Sequence, residues 1–293
     1  MKIGSRESKL AMRQTDMFMD ALHKVSPDTE CQVIGIKALG DIDLTSPLDK
    51  LNNVGAFVRE LDEAMVKGEI DISVNSLKDI PIDMDPKLTL GAIMTRNSVQ
   101  DVILPCSLDN LPEGSVVGTA SVRRMALLKS VRPDIKTISL RGNIHTRLSK
   151  LDSGECDAII LAKAGLERMG IERPMFDLDM DVFVPAPAQG AIAVECRKDD
   201  KAMMELLSKV DDRDTRDAVT IERMIMRALG AGCSSPVGIL AKKEGVGFRV
   251  KAVSFAFTEE PVRLDTVIPA EDYDRHILMI SEYLQGKRKE LIP

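Results

Sequence analysis

Along the first two thirds of the chain, short apolar runs alternate with segments whose apolar residues recur at helical spacing. Strands are predicted at Lys2–Gly4, Gln32–Lys37, Ile70–Val74, Thr89–Met94, Val102–Leu104, Ser115–Gly118, Thr137–Leu140 and Ala158–Leu161. Helices are predicted near Lys9–His23, Phe57–Lys67, Arg124–Val131, Ile144–Leu151 and Lys163–Arg168. This alternation predicts an α/β fold with mostly parallel, buried strands. Thr95-Arg96-Asn97-Ser98 reads as a crossover from a first lobe to a second, and Val184-Pro185-Ala186-Pro187-Ala188-Gln189-Gly190 as the return, followed by a strand at Ala191–Cys196. Two crossovers predict a hinged pair of lobes, one formed by residues 1–95 and 189–213, the other by 96–188. Helices at Lys201–Val210 and Arg216–Leu229 follow. The pattern then changes: strands near Val237–Lys242, Arg249–Phe257 and Arg263–Ile268 and a helix near Glu271–Leu284 predict a small α+β domain over 214–293.

The two lobes echo one another. Gly4-Ser5-Arg6-Glu7-Ser8 follows a predicted strand and opens a helix, and so does Gly118-Thr119-Ala120-Ser121-Val122-Arg123-Arg124. Both junctions would aim helix N-terminal amides, hydroxyls and arginines at a common cleft, an arrangement that favours anions.

Composition narrows the chemistry. The 293 residues are 44% hydrophobic and 29% charged, ordinary for a globular chain of two or three domains. There is no Trp and there are only 2 Tyr, against 16 Met, so the cores should be aliphatic with Met filling gaps, and a base-stacking surface is disfavoured. A net charge of -6 argues against general nucleic-acid binding, so any anion site must be a local concentration of basic groups. No run approaches the roughly 18 apolar residues of a membrane span, and no apolar leader follows Met1, so a cytoplasmic protein is expected. The five cysteines are scattered without a C-x-x-C pair and the three histidines lack ligand spacing, so reduced thiols and no metal are expected.

Six arginines supply the local charge. Arg6, Arg123, Arg124, Arg141, Arg147 and Arg168 fall at predicted strand C-termini or in the helices that follow, the edge where open α/β sheets bind ligands. Any one could be a surface ion pair; six at one topological edge favour a polyanion site. Neither G-x-x-x-x-G-K-[ST] nor G-x-G-x-x-G is present, which favours several carboxylates over a nucleotide. Asn75-Ser76-Leu77-Lys78-Asp79-Ile80-Pro81 places Lys78 and Asp79 at another strand end. Asp79 before Ile-Pro suits a simple turn, but a carboxylate among cations can also stabilise a cationic intermediate or exchange a proton with an amine. Lys50-Leu51-Asn52-Asn53-Val54-Gly55-Ala56-Phe57 reads either as a surface connection or as a mobile lid. Cys233, in Gly230-Ala231-Gly232-Cys233-Ser234-Ser235-Pro236, is an approachable thiol at the start of the third domain, either inconsequential or a covalent attachment point. No histidine is placed to act as its base. A two-lobe anion sensor and a phosphate-ligand transferase are the competing classes. The first leaves Cys233 without a use, and the second lacks a phosphate loop.

Taken in order, these segments resemble the porphobilinogen deaminase (hydroxymethylbilane synthase) family. The resemblance is carried by Gly4-Ser5-Arg6-Glu7-Ser8-Lys9-Leu10-Ala11, Phe57-Val58-Arg59-Glu60-Leu61, Ser76 to Pro81, Gly118 to Arg124, Leu140-Arg141-Gly142-Asn143 with Thr146-Arg147-Leu148, Ala158 to Ala162 with Ala164-Gly165-Leu166, Gln189-Gly190-Ala191 and the Gly232-Cys233 loop. It implies two periplasmic-binding-protein-like lobes with a hinge plus the small C-terminal domain, and a monomer. It implies a dipyrromethane cofactor held covalently by Cys233, on which four porphobilinogens are joined head to tail with release of ammonia before hydroxymethylbilane is hydrolysed off. Asp79 matches the family's catalytic aspartate. Lys50, Ser76, Lys78, Thr119, Ser121, Arg123 and Arg124 match positions that hold the cofactor. Arg6, Ser8, Phe57, Arg141, Arg147, Arg168 and Gln189 match positions for porphobilinogen and the growing oligopyrrole, whose accumulating carboxylates explain clustered arginines in an acidic chain. The chain departs from the family pattern at Val54, Asn52-Asn53, Asn75 and Ser234-Ser235.

Overall fold

The chain opens with β1 (Lys2–Arg6), α1 (Lys9–Val25), β2 (Gln32–Ile36), α2 (Arg59–Val66), β3 (Ile72–Ser76), a single 3-10 turn over Leu77–Asp79, and β4 (Leu88–Ile93). It continues through β5 (Asp101–Leu104), β6 (Val116–Gly118), α3 (Val122–Val131), β7 (Lys136–Ile138), α4 (Ile144–Asp152), β8 (Ala158–Ala162), α5 (Lys163–Arg168) and β9 (Phe176–Asp177). Then come β10 (Ile192–Arg197), α6 (Lys201–Ser208), α7 (Arg213–Leu229), β11 (Val237–Glu244), β12 (Gly247–Ser254), β13 (Val262–Pro269) and α8 (Asp274–Leu284). The structure is a computed structural model and describes residues 1–38, 55, 57–232 and 235–290. They form two compact units, one of residues 1–97, 167–170 and 190–216, the other of 98–166, 171–189 and 217–293.

The first unit is built on a five-stranded sheet in the order β2-β1-β3-β10-β4. Strands β1, β2 and β3 are parallel, while β10 runs antiparallel to both β3 and β4. Ser8 begins α1 by accepting a hydrogen bond from the Ala11 amide at 3.3 Å. The buried stripe of that helix, Ala11, Gln14, Thr15, Phe18 and Leu22, follows helical spacing. Phe18 and Leu22 meet Ile72, Val74, Ile192, Val194 and Leu207 on one face of the sheet, each fully buried side chain contributing about 1.5–3 kcal/mol. Met1, Met17, Met19, Met94 and Met203 fill the rim of this core, as the composition predicts. On the other face α2 contributes Leu61, Ala64 and Met65, packed with Ile70 and Leu88.

Helix α2 also carries Asp62. Burial, then the charges of Asp85 and Glu60, push its carboxyl up to about 7. Because the folded value lies above the unfolded one, stability falls as pH rises from about 4 to about 7. Asp62→Asn is therefore expected to gain on the wild type in urea midpoint across that range and to hold the gain above it. An offset independent of pH would contradict this.

In the second unit the sheet order is β7-β6-β8-β5-β9, with β6 parallel to β7 and β8 and β5 antiparallel to β8 and β9. Position for position this repeats the first sheet, with β1 matching β6, β3 matching β8 and β10 matching β5. Each sheet thus holds one reversed strand, the first strand made after the chain crosses from the other unit. Mostly parallel strands were expected, and these two are the exceptions. Ile103, Val117, Leu127, Leu128, Ile160 and Phe183 build one core of this unit, joined by Val253 of β12. Leu104, Leu140, Leu148, Ile159 and Leu166 build another. The C-terminal residues add the antiparallel sheet β11-β12-β13 with α8 against β13. The α/β class with a small C-terminal sheet domain agrees with the sequence pattern. No described helix is long and apolar enough to cross a membrane.

Candidate active site

In the first unit the parallel pairing of β1 with β3 puts their C-terminal ends at one sheet edge. That edge carries Arg6 and Ser8 from the end of β1, and Ser76, Lys78 and Asp79 from the end of β3 and its 3-10 turn. The Arg6 guanidinium lies 4.5 Å from the centroid of the Phe57 ring, so two residues singled out separately in the sequence meet. Ser76 Oγ accepts a hydrogen bond from the buried Gln14 Nε2 at 2.7 Å. The Leu77 amide closes the ladder onto the Ala191 carbonyl at 3.0 Å, which sets the entry to the turn. Lys78 and Asp79 are half-buried. Arg168 belongs to this unit too. Its Nε and Nη2 donate to Asn97 Oδ1 at 3.0 and 2.9 Å and Nη2 to the Gly190 carbonyl at 2.6 Å, joining the segment leaving the unit to the segment re-entering it. Burial lowers this guanidinium to about 10.

In the second unit the matching edge is formed by the ends of β6 and β7 and the start of β5. Thr119 is buried just past β6, and its Oγ1 accepts from the Ser121 amide at 3.3 Å. Ser121 caps α3. Arg123 and Arg124 therefore sit in the first turn of α3, and both turn inward onto Asp101 at the start of β5. Arg123 Nη2 lies 2.8 Å from Asp101 Oδ2, and Arg124 donates from Nη2 and Nε to Asp101 Oδ1 at 2.7 and 3.1 Å. Gln189 Nε2 donates to the same oxygen at 3.0 Å and to the Val99 carbonyl at 2.7 Å. Arg123 also reaches the Val184 carbonyl, and Arg124 the Ile160 carbonyl. Burial alone would raise the Asp101 carboxyl, but the two guanidiniums and their hydrogen bonds hold it well below the usual carboxylate range. Burial lowers Arg123 in turn, against the pull of Asp101. Past β7, Gly142 at φ 109° makes the turn into α4. A Cβ there would meet Thr146 at 2.7 Å, so the position needs glycine. That turn places Arg141 before the helix and lets Arg147 Nε donate to the Gly142 carbonyl at 2.8 Å.

The expected residues therefore divide between the units. Arg6, Ser8, Phe57, Ser76, Lys78, Asp79 and Arg168 lie in the first, and Thr119, Ser121, Arg123, Arg124, Arg141, Arg147 and Gln189 in the second. Lys50 and Cys233 lie outside the described residues, as do Asn52, Asn53, Val54 and Ser234. Sequence reasoning missed Asp101, on which three of the expected residues converge. Its signal was a lone acid directly ahead of Val102-Ile103-Leu104.

Comparison with known proteins gives consistent results. The family model "Porphobilinogen deaminase, dipyromethane cofactor binding domain" matches residues 1–205. The porphobilinogen deaminase of Stenotrophomonas maltophilia (strain K279a) is 41% identical over 276 residues, covering 92% of this chain and 91% of that protein. A probable porphobilinogen deaminase of Picrophilus torridus is 45% identical over 249 residues, covering 85% of this chain and 87% of its own length. Among solved structures, an ancestral cationic amino acid solute binding protein aligns with a TM-score of 0.42 at 14% identity, over 78% of this chain and 90% of that one.

Proposed function

Since this chain belongs to the porphobilinogen deaminase family, we propose that it joins four porphobilinogens head to tail, with loss of ammonia at each step, into linear hydroxymethylbilane for tetrapyrrole biosynthesis. The observation that carries the residue assignment is the gathering of Arg6, Ser8, Ser76, Lys78 and Asp79 at one sheet edge. Each porphobilinogen brings an acetate and a propionate, and this edge offers hydroxyls and cations to hold them, with one carboxylate among them.

The family's dipyrromethane supplies, when bound, the electron-rich pyrrole carbon to which new units are joined. The second unit suits such a carboxylate-bearing group. Two guanidiniums face the single Asp101 carboxylate, leaving an excess of positive charge at the start of α3. Arg123 Nε is buried with no hydrogen-bond partner among the described residues. Thr119 and Ser121 add hydroxyls beside it, and Arg141 and Arg147 add further cations. Cys233 is the proposed attachment point, with Lys50, Ser76 and Lys78 as further cofactor contacts.

Asp79 is the proposed reaction residue. It passes a proton to the departing amine and offsets the positive charge left on the pyrrole ring. Arg6, Ser8 and Phe57 orient the incoming unit, together with Arg141, Arg147, Arg168 and Gln189. Intact mass of the purified protein tests the covalent group. The wild type should carry an excess equal to a dipyrromethane, absent in Cys233→Ala. A fully active wild type of unmodified mass would sink the assignment.

A further inference from the structure

We infer that Glu195 is a positioning residue for this reaction: its buried carboxylate fixes the end of β3 from which Lys78 and Asp79 project. The inference rests on the assignment of Asp79 made above. Glu195 is 1% exposed, within a strand whose other central members are Ile192, Ala193, Val194 and Cys196. A carboxylate in such surroundings is retained only where donors meet it. Here Ser73 Oγ donates to Glu195 Oε2 at 3.1 Å and Asn75 Nδ2 donates to the same oxygen at 2.9 Å, while Asn75 Nδ2 also reaches Ser73 Oγ at 3.0 Å. The three side chains close a triangle on the sheet face opposite Ile72, Val74, Ile192 and Val194.

Three further observations tie the triangle to the reaction edge. First, it ends one residue short of Ser76, which is itself held by Gln14, and two short of Leu77, whose amide is held by Ala191. These fixed points come immediately before Lys78 and Asp79, and the Ile80 amide closes the turn onto the Leu77 carbonyl just after them. Second, the pairing of β10 with β4 shifts between Val194 and Glu195. The extra residue is Gly91 of β4, where a Cβ would lie 2.4 Å from Leu207 Cδ1, so β4 bends beside Glu195 at a closely packed point. Third, the second unit also buries an acid in its reversed strand: Asp101 of β5 accepts from Arg124 and Gln189 where that strand begins, three residues nearer the sheet edge than the position matching Glu195. Apolar residues could stabilise either strand pair as well. What a charged acceptor adds is a single register, and a slip in β3 would carry Asp79 with it.

The test is a double-mutant cycle on the full-length, cofactor-loaded enzyme, comparing Glu195→Gln, Asp79→Asn and the double variant by steady-state kinetics and intact mass. Gln keeps the shape and one acceptor but removes the charge from both bonds. For Glu195→Gln the expected result is an unchanged dipyrromethane mass, a KM within about twofold of wild type, and a kcat down roughly tenfold. In the Asp79→Asn background the same change should lower the rate by less than about twofold, because the group being positioned is already gone. Ser73→Ala, which removes one donor and is the milder change, should act in the same direction and with the same non-additivity if Glu195→Gln does not fold. A normal kcat for the folded variants, or a loss that multiplies fully with that of Asp79→Asn, would overturn the inference, since general loosening acts whether or not Asp79 is present. Normal turnover by Asp79→Asn itself would remove the assignment of Asp79 and this inference together, an outcome distinct from the other two.

Discussion

Turnover by Asp79→Asn should fall by roughly a thousandfold or more while the protein stays folded. Asp79 ends a one-turn 3-10 helix, half-buried, and no hydrogen bond or ion pair among the described residues engages its carboxylate. Asparagine is nearly isosteric there, so little native structure depends on the charge. In the proposed mechanism the reaction does depend on it. An amide can neither hand a proton to the departing amine nor offset the cation left behind. The groups proposed to hold the substrate carboxylates are untouched, so the loss should appear in kcat with KM little changed. Ammonia release per enzyme, read beside the thermal melting curve, separates the two effects. A near-normal rate in a folded variant would remove Asp79 from the mechanism.

Asp101→Asn should destabilise the protein by about 3–5 kcal/mol, because it leaves two buried guanidiniums without their shared counter-charge. Asp101 is fully buried, and Arg123 and Arg124 both close on it at under 3 Å. The effect has a defined pH window. The folded carboxyl titrates below its unfolded value of about 3.9. Its stabilisation is therefore complete above about pH 4 and is lost as pH falls towards the folded value. The gap in urea midpoint between wild type and Asp101→Asn should be widest near neutrality and shrink in acid. A difference under about 1 kcal/mol at pH 7, in the range of an ordinary surface change, would show that the carboxylate is dispensable.

Much of the site's placement is legible in the sequence because helix starts and strand ends carry local signals. The echo between Gly4-Ser5-Arg6 and Gly118 to Arg124 corresponds to β1 and β6, which occupy the same position in the two sheets. Ser8 and Ser121 are the capping residues that such junctions call for. The direction of β5 and β10 is not legible. A short apolar run reads the same whichever way it enters a sheet, and direction is settled by where the chain returns from. The buried acids are obscured for the same reason. Asp101 and Glu195 each belong to a strand that arrives from the other unit, so their partners are far away in the sequence. Gln189 was singled out and its bond to Asp101 was not, since nothing local marks an acid as buried. Cys233, the proposed attachment point, is the reverse case: its assignment comes from the order of motifs along the chain.

The reversed strand of the first unit also sets a timetable. Ser73 and Glu195 are separated by 122 residues, and among the described residues β4 pairs with no strand but β10. A ribosome adding about 5–20 residues per second would take on the order of ten seconds between the two. For that interval the nascent chain presents β3 and β4 with open edges, the surfaces most prone to pairing with a neighbouring chain. Arrest or truncation before residue 192 would therefore yield a sheet missing its fourth strand, and a chain held by chaperones or degraded instead of a shortened enzyme.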